Sequence, residues 1–219
     1  MAESLHYDSS YYELRENSFA FIAELKTMIN YLSPCGDDKI LEIGCGNGAL
    51  LRNIRKCNWH LLAGVDRFPL AAKLAAERNR GILIACADAL DLPFPGNFFT
   101  KIVAQHLIEH FDNPENILRE WKRVLMPGGR MVLCTPNYLF PHQEWFEDPT
   151  HCHIFTLKEL TELVEIVGFR VETVSVINPF VLHLRLQNYA AKYLQFLSYM
   201  PFFKDHGMSI ILSATKPLN

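Results

Sequence analysis

The sequence lacks features that would assign it to a membrane, secreted or nucleic-acid-binding class. No apolar run reaches the ~18 residues that suggest a membrane span. The first residues, Met-Ala-Glu-Ser-Leu-His-Tyr, have neither the basic start nor the apolar core of a secretory signal. A net charge of -3 and a pI near 6.3 leave no electrostatic footprint for nucleic acid. We therefore expect no integral membrane segment and no nucleic-acid partner.

Closely spaced cysteine pairs are also absent. The six cysteines include no C-x-x-C pair, and several fall inside apparent strands, where cysteine serves as a small hydrophobe. We interpret them as reduced thiols of a cytoplasmic protein rather than as a disulfide framework. The chain also lacks internal repeats and linkers, and 219 residues with 49% apolar content fit one domain better than two.

Apolar strands and helical patterns alternate along most of the chain. This alternation predicts an α/β, Rossmann-like fold: a doubly wound, seven-stranded, mostly parallel sheet with helices on both faces and an antiparallel last strand. We expect one domain with an N-terminal helical cap (1–36), a cofactor-binding core (37–178), an apolar helical insertion (179–206) and the last strand (207–219). The insertion could cover the core, form a dimer face, close over an acceptor or touch a membrane. A monomer and a homodimer both fit.

A glycine-rich turn follows the first predicted strand. Lys39–Ile43 runs into Gly44, Gly46 and Gly48, and an apolar helical pattern follows them. A strand that leads through glycines to a helix N-terminus can hold a nucleoside, because the backbone approaches the ligand closely and its N–H groups point at it. The dinucleotide fingerprint G-x-G-x-x-G has one more residue before its third glycine. The turn therefore disfavours a nicotinamide cofactor.

The pattern Glu42-x-Gly44-x-Gly46-x-Gly48 resembles the first motif of class I S-adenosylmethionine-dependent methyltransferases. Later segments match the branch that includes ubiquinone-biosynthesis methyltransferases, among them Asp91-Leu92-Pro93-Phe94, Asn113-Pro114, Leu125-Met126-Pro127-Gly128-Gly129 and Thr135-Pro136-Asn137. Thr100 departs from the pattern, since an acid usually stands there. The resemblance implies S-adenosyl-L-methionine as the cofactor, and its ammonium group needs acceptors such as an acid near the turn.

The same resemblance implies roles for individual residues. Asp66, 22 residues past the first glycine, would hold the ribose hydroxyls, Asp88 would lie beside the adenine amino group, and Gln105 would line the methionine end. Each acid also has a structural alternative. Asp66 could cap the next helix, Asp88 could be an ordinary turn aspartate, and Glu42 could be a structural carboxylate whose hydrogen bonds are satisfied within the protein. The full set implied to contact the cofactor is Tyr12 (in a terminus that could be frayed or a flap), Glu42, Gly44, Cys45, Gly46, Gly48, Asp66, Arg67, Asp88, Ala89, Gln105 and His106.

Histidines collect where an acceptor would bind, after the fourth and fifth predicted strands. Methyl transfer needs an aligned acceptor and, for a hydroxyl acceptor, removal of its proton. His106 and His110 follow the fourth strand, and the loop 141–156 adds His151 and His153. We take His106, His151 and His153 as the candidate catalytic residues. The segment Asp148-Pro149-Thr150-His151-x-His153-x-Phe155-Thr156 resembles one in methyltransferases of this branch, some of them linked to sugar or surface-polysaccharide genes.

Two other interpretations of this loop stay open. Asp148 with His151 and His153 is chemically adequate for a divalent metal, although the spacing alone is poor evidence and we expect none. Alternatively, Asp148 caps a turn and His151 hydrogen-bonds the backbone to fix the loop.

We expect a methyltransferase that acts on a small-molecule acceptor at oxygen. A quinone-like phenol would suit the apolar insertion, and a sugar would suit the histidine-rich loop. Gln105-His106-Leu107-Ile108 stands where enzymes that methylate amino groups of DNA or of protein glutamine carry an Asn-Pro-Pro-Tyr-like turn. The alternatives are a non-catalytic S-adenosylmethionine-binding subunit, a protein that uses the cofactor for another reaction, and a nicotinamide-dependent oxidoreductase.

Overall fold

Strands and helices alternate along the chain, as the sequence predicts. The computed structural model describes residues 16, 18–57, 61–140, 148–177 and 207–218; Tyr12, the loop 141–147 and the predicted insertion at 179–206 lie outside the described residues. The main elements are α1 Phe19–Leu32, β1 Lys39–Ile43, α2 Ala49–Ile54, β2 Leu61–Asp66, α3 Pro69–Arg78, β3 Leu83–Cys86, β4 Phe99–Gln105, α4 Pro114–Val124, β5 Leu125–Pro136, α5 Leu157–Ile166, β6 Arg170–Ile177 and β7 Ser209–Thr215.

The strands form one seven-stranded sheet in the order β3-β2-β1-β4-β5-β7-β6. The first five strands along this order are parallel, and β7 runs antiparallel between β5 and β6. The predicted doubly wound sheet with an antiparallel last strand is confirmed. Because the strand order reverses between β1 and β4, the carboxyl ends of these two strands border the crevice where such sheets bind ligands.

Helices cover both faces of the sheet, as predicted. Side chains alternate between the faces, so that Ile40 packs in one apolar cluster and Leu41 in the other. Helices α4 and α5 pack on the Leu41 face, whereas α1 and α2 pack on the Ile40 face. Within the part of the chain that the structure describes, no helix has the length and apolar character needed to cross a membrane.

One predicted element boundary is wrong. The sequence suggests that Pro127-Gly128-Gly129 closes the helix before strand five, but α4 already ends at Val124 and these residues lie within β5. The reason is tertiary: Gly128 N donates to Lys216 O at 2.8 Å, and Lys216 N donates to Gly129 O at 2.9 Å. Pairing with the segment after β7 therefore holds these residues as an irregular part of β5, in which Gly128 has a φ of 75° and the register with β4 shifts. The spacing Thr156-x-x-Glu159 predicts a capping box, and the structure confirms it at the start of α5.

At the amino edge of the sheet, the structure shows what Thr100 does in place of the acid that the family pattern usually has there. Its hydroxyl donates to Asp38 Oδ1 at 2.8 Å, and Lys101 pairs with Asp38 Oδ2 at 2.6 Å. Cys35 N also donates to Asp38 Oδ2, at 2.7 Å. Burial would raise the pKa of Asp38, but Lys101 and these hydrogen bonds outweigh it and hold that pKa below its usual value. The departure at Thr100 thus lies at the edge opposite the ligand crevice.

Candidate active site

The turn after β1 depends on its glycines. Gly44, Gly46 and Gly48 have φ values of 71°, 50° and 76°, a region that L side chains rarely adopt. A Cβ at Gly48 would lie 2.2 Å from Asn79 Nδ2, and one at Gly44 would lie 3.0 Å from Leu107 Cδ2. The turn therefore has both the conformation and the close packing that exclude side chains at these two positions.

Asp66, at the end of β2, is bonded to this turn. Its Oδ2 accepts a hydrogen bond from Gly46 N at 2.8 Å, and its Oδ1 accepts one from Phe68 N at 2.9 Å. Burial raises the pKa of this carboxyl, although both backbone N–H groups oppose the rise. A carboxylate has about four acceptor sites, so these two bonds leave capacity for a ligand's hydroxyls. Asp66 thus fixes the turn that leads into α3 and also holds the glycine turn.

A cleft of about 360 Å³ of empty space, part of it open to solvent, lies against the turn. Its lining includes five of the residues predicted to contact the cofactor: Glu42, Gly44, Cys45, Gly46 and Gln105. Glu42 is buried, and its Oε2 accepts a hydrogen bond from Leu51 N at 3.2 Å, so it also supports α2. Glu16 is the other acid of the lining.

Three other predicted cofactor residues, Arg67, Asp88 and Ala89, follow β2 and β3 along the same sheet edge. Asp88 is exposed, and its Oδ1 accepts a hydrogen bond from Leu90 N at 2.9 Å in a tight turn. Ala89 is buried beside it, and Arg67 is exposed with its guanidinium over the Phe68 ring at 4.8 Å. The structure thus brings one group of predicted residues together at the cleft and places the other group beyond Asp66.

His106 is held between two buried carboxylates. Its Nε2 lies 3.1 Å from Glu24 Oε2, and its Nδ1 lies 3.4 Å from Glu109 Oε1. Its φ of 51° is unusual for a non-glycine residue, and its backbone N donates to Cys134 O at 2.8 Å. Burial alone would lower the pKa of His106, but Glu24, with help from Cys134 and Glu109, raises that pKa well above its usual value. The two carboxylates thus hold the ring in a fixed orientation.

Glu24 is a site residue that motif matching missed. From helix α1 its Oε2 accepts a hydrogen bond from Gln105 Nε2 at 2.8 Å as well as pairing with His106, and its Oε1 accepts one from Ser209 Oγ. The sequence carried one signal. Glu24 lies three residues after Phe21 and four before Met28, both buried, so it places an acid on the apolar stripe of the helix.

A second polar cluster forms where the loop 148–153 folds against the end of β4. Cys152 N and His153 N both donate to Glu109 O, at 2.8 and 3.0 Å. The rings of His110 and His151 have centroids 4.9 Å apart. One ligand atom each of Glu109, His110 and His151 lies within 4.8 Å of the others. The end of β4 and the loop 148–153, which are about 40 residues apart in the chain, thus meet around Glu109.

The three candidate catalytic histidines do not share one cluster. His106 belongs to the pair of carboxylates described above, and His151 belongs to the cluster with His110. His153 is exposed and stacks on Phe155, with ring centroids 4.4 Å apart. Asp148 Oδ1 accepts hydrogen bonds from Thr150 N at 2.9 Å and Thr150 Oγ1 at 2.6 Å, which confirms the interpretation that Asp148 caps a turn. Its Oδ2 lies 3.8 Å from His151 Nε2.

Comparison with known proteins decides the family. A family model described as a methyltransferase domain matches residues 15–174. The chain belongs to this methyltransferase family. The predicted membership of the class I S-adenosylmethionine-dependent methyltransferases is confirmed, and so is S-adenosyl-L-methionine as their cofactor.

Relatives share part of their length with this methyltransferase domain. A protein of Mycolicibacterium smegmatis named as a probable S-adenosylmethionine-dependent methyltransferase is 29% identical over 143 residues, which cover 63% of this chain and 54% of the relative. A ubiquinone biosynthesis O-methyltransferase of Parvibaculum lavamentivorans is 32% identical over 107 residues, which cover 48% of this chain and 42% of the relative. The chain thus spans about half the length of these relatives. A solved S-adenosylmethionine-dependent methyltransferase of Archaeoglobus fulgidus shares the fold, with a TM-score of 0.70, 18% identity and coverage of 95% and 100% of the two chains.

The residues of the methyltransferase cleft fit the cofactor chemically. Gly44 and Gly46 of the glycine turn line the cleft, so their backbone borders the space that a ligand would fill. The carboxylate of Glu42 suits an ammonium group, and Asp66 has acceptor capacity for hydroxyls. Glu16 already pairs with Arg52 at 2.6 Å and with Arg78 at 3.5 Å. When bound, S-adenosyl-L-methionine supplies an activated methyl group on a sulfonium sulfur.

Proposed function

We propose that this protein transfers the methyl group of S-adenosyl-L-methionine to an oxygen of a small-molecule acceptor. The observation that carries the proposal is the carboxylate of Glu24, which joins two regions. It accepts a hydrogen bond from Gln105, which lines the cofactor cleft, and it pairs with His106, which leads to the histidine cluster. The cleft and the histidines therefore belong to one continuous polar site.

On the cofactor side, we assign roles by position and chemistry. Asp66 holds the ribose hydroxyls, since its carboxylate is already oriented by Gly46 N and Phe68 N. Asp88 lies beside the adenine amino group, and Glu42 accepts from the ammonium end. The other cofactor contacts in the proposal are Tyr12, Gly44, Cys45, Gly46, Gly48, Arg67, Ala89, Gln105 and His106.

On the acceptor side, His106 acts as a positioning group rather than as a base. Both of its ring nitrogens face carboxylates, so neither presents a lone pair to an acceptor. The hydroxyl of the acceptor binds beside His151, and His153 lies at the rim of this region. As the new C–O bond forms, the S–CH3 bond breaks and its electron pair stays on sulfur. The hydroxyl proton passes to water, so the products are a methyl ether, S-adenosylhomocysteine and one proton.

Methylation at oxygen is supported by two findings. The region after β4 and β5 presents imidazole and carboxylate groups, which suit a hydroxyl that must lose a proton. A relative of 32% identity is named an O-methyltransferase of ubiquinone biosynthesis, so a phenol is one acceptor class. A sugar hydroxyl is the other, because the polar loop 148–153 offers the hydrogen-bonding groups that a sugar needs.

The test uses S-adenosyl-L-methionine with a labelled methyl group and a small-molecule extract, followed by phenol and sugar panels. We expect labelled methyl ethers together with one equivalent of S-adenosylhomocysteine. Methyl transfer to nitrogen or carbon would contradict the assignment to oxygen. A chemical change without S-adenosylhomocysteine would indicate a non-methylating use of the cofactor. If calorimetry shows binding of NADH and no binding of S-adenosyl-L-methionine, the whole proposal is wrong.

We also propose a reducing, cytoplasmic location. Five of the six cysteines are free thiols: Cys35, Cys45, Cys86, Cys134 and Cys152. Disulfides are rare in reducing compartments, so thiols are expected there. Fractionation of cells that express the native protein would test the assignment.

A further inference from the structure

We propose that Glu109, His110 and His151 form a binding site for a divalent transition-metal cation that holds the hydroxyl of the methyl acceptor. The role of the cation rests on the proposed O-methylation, whereas the site rests on geometry. One ligand atom from each residue lies within 4.8 Å of the other two. Ligands around one ion lie about 2.0–2.2 Å from it, so small side-chain rotations would complete the coordination.

The carboxylate of Glu109 is the first observation that points to a ligand. The residue is fully buried, and its Oε2 accepts a hydrogen bond from Thr135 Oγ1 at 3.0 Å. Its Oε1 has no hydrogen-bond partner among the residues that the structure describes. The 3.4 Å ion pair with His106 Nδ1 is its nearest compensation. A buried carboxylate oxygen without a hydrogen bond is costly, and a cation would stabilise it.

The orientation of His110 is the second observation. Its Nδ1 lies 3.1 Å from both Thr150 O and Thr150 Oγ1. The carbonyl can only accept, and the hydroxyl already donates to Asp148 Oδ1 at 2.6 Å, so both contacts require a proton on Nδ1. In the neutral ring, Nε2 then carries the lone pair. Metal-binding histidines commonly donate their other N–H to a backbone carbonyl in this way.

His151 completes the set from the opposite side. It lies on the loop that Cys152 N and His153 N join to the backbone carbonyl of Glu109, so the loop is held next to the residue that carries the carboxylate. Asp148 Oδ2 lies 3.8 Å from His151 Nε2 and can orient that ring. The metal pairing suggested by sequence, His151 with His153, is replaced by His151 with His110, because His153 turns outward onto Phe155.

The other group of potential ligands, Glu24, His106 and Cys134, is a poorer site. His106 Nε2 is already paired with Glu24 at 3.1 Å. Both oxygens of Glu24 also accept hydrogen bonds already, from Gln105 and from Ser209, unlike Glu109 Oε1. The described residues therefore favour the cluster around Glu109.

Two imidazoles and one carboxylate suit Zn²⁺, Co²⁺ or Mn²⁺ better than Mg²⁺ or Ca²⁺, which prefer all-oxygen ligands. Three protein ligands leave a position for an acceptor oxygen, as in catalytic zinc sites. A cation there lowers the pKa of a bound hydroxyl, which helps its proton to leave during methyl transfer. This would supply the activation that His106, held between two carboxylates, does not.

The experiment titrates Co²⁺ into the metal-free full chain and follows its visible absorption, with Zn²⁺ as a competitor. We expect one Co²⁺ per chain and no thiolate charge-transfer band. His110→Ala and His151→Ala should each weaken binding at least about tenfold, while the matched loop variant His153→Ala should bind Co²⁺ as the native chain does. Circular dichroism checks that each variant folds. Glu109→Gln adds a second test, interpreted only if that variant also folds.

Three outcomes would overturn the site: no Co²⁺ binding, equal losses in all three histidine variants, or a thiolate band. Binding is measured without S-adenosyl-L-methionine, so its failure is separate from failure of the proposed function. If Co²⁺ binds with the expected pattern but no methyl transfer is found, the site stands and the proposed function falls. Methyl transfer that is unchanged after EDTA treatment would overturn the role of the cation in holding the acceptor.

Discussion

The two ends of β4 both hold a buried acid beside a basic side chain, yet they are built differently. At the amino end, Asp38 uses both carboxylate oxygens, with Lys101 at 2.6 Å and hydrogen bonds from Thr100 and Cys35. At the carboxyl end, His106 has a left-handed backbone. There, Glu109 Oε1 is left without a hydrogen bond within the described ranges.

This difference distinguishes a buried acid that stabilises the fold from one that belongs to a functional site. A well-paired acid with ordinary backbone geometry stabilises the fold, and nothing about it calls for a ligand. Backbone strain and an unsatisfied buried carboxylate cost free energy, and such features concentrate at sites that bind or react. We therefore expect changes at the amino edge to alter stability alone and changes at the carboxyl edge to alter ligand binding as well.

The largest effect is expected for Gly48→Ala. Its positive φ costs an alanine about 1–2 kcal/mol, and the new Cβ would displace the Asn79 side chain and its hydrogen bond, worth about 1 kcal/mol more. Gly36→Ala is the matched control, since its Cβ would meet nothing within 4 Å. Urea unfolding should show a loss of about 2–3 kcal/mol for the first and under about 0.5 kcal/mol for the second. Equal losses would mean that the turn is not specially constrained.

A middle-sized effect is expected for Asp66→Ala. Unpaired ribose hydroxyls should weaken binding of S-adenosyl-L-methionine by about 1–3 kcal/mol, measured by calorimetry. The comparison variant is Asp38→Ala, which removes a buried acid from the opposite edge. It should lower the free energy of unfolding and leave cofactor affinity unchanged. Unchanged affinity in Asp66→Ala would remove this residue from the site.

The smallest effect is a pH dependence at the amino edge. The pKa of Asp38 is lower in the folded chain than its unfolded value of about 3.9, so its contribution to stability is fully present above that value. The contribution is lost as pH falls through the folded pKa. The difference in unfolding free energy between the native chain and Asp38→Asn should thus be constant near neutral pH and shrink below about pH 4. Asp37→Asn, an exposed neighbour, controls for the loss of one charge; a parallel change there would contradict the assignment to Asp38.

Much of the cofactor side could be predicted because its signals are local. The spacing of Gly44, Gly46 and Gly48 reports a turn that only glycines can form, and strand ends place Asp66 and Asp88 on one sheet edge. The capping box of Thr156 is equally local, since its two bonds join residues three apart. Patterns of this kind depend on a few neighbouring residues, so they can be recognised without knowledge of the fold.

The sequence by itself thus determined the fold, the family and the cofactor turn of this methyltransferase domain. Only the tertiary structure decided the partners of its histidines: Glu24 reaches His106 across 82 residues, and His110 meets the loop of His151 across about 40. It also decided that Pro127-Gly128-Gly129 extends a strand. Each of these outcomes depends on which segments pack side by side. Such contacts produce no periodic pattern in the sequence of either segment.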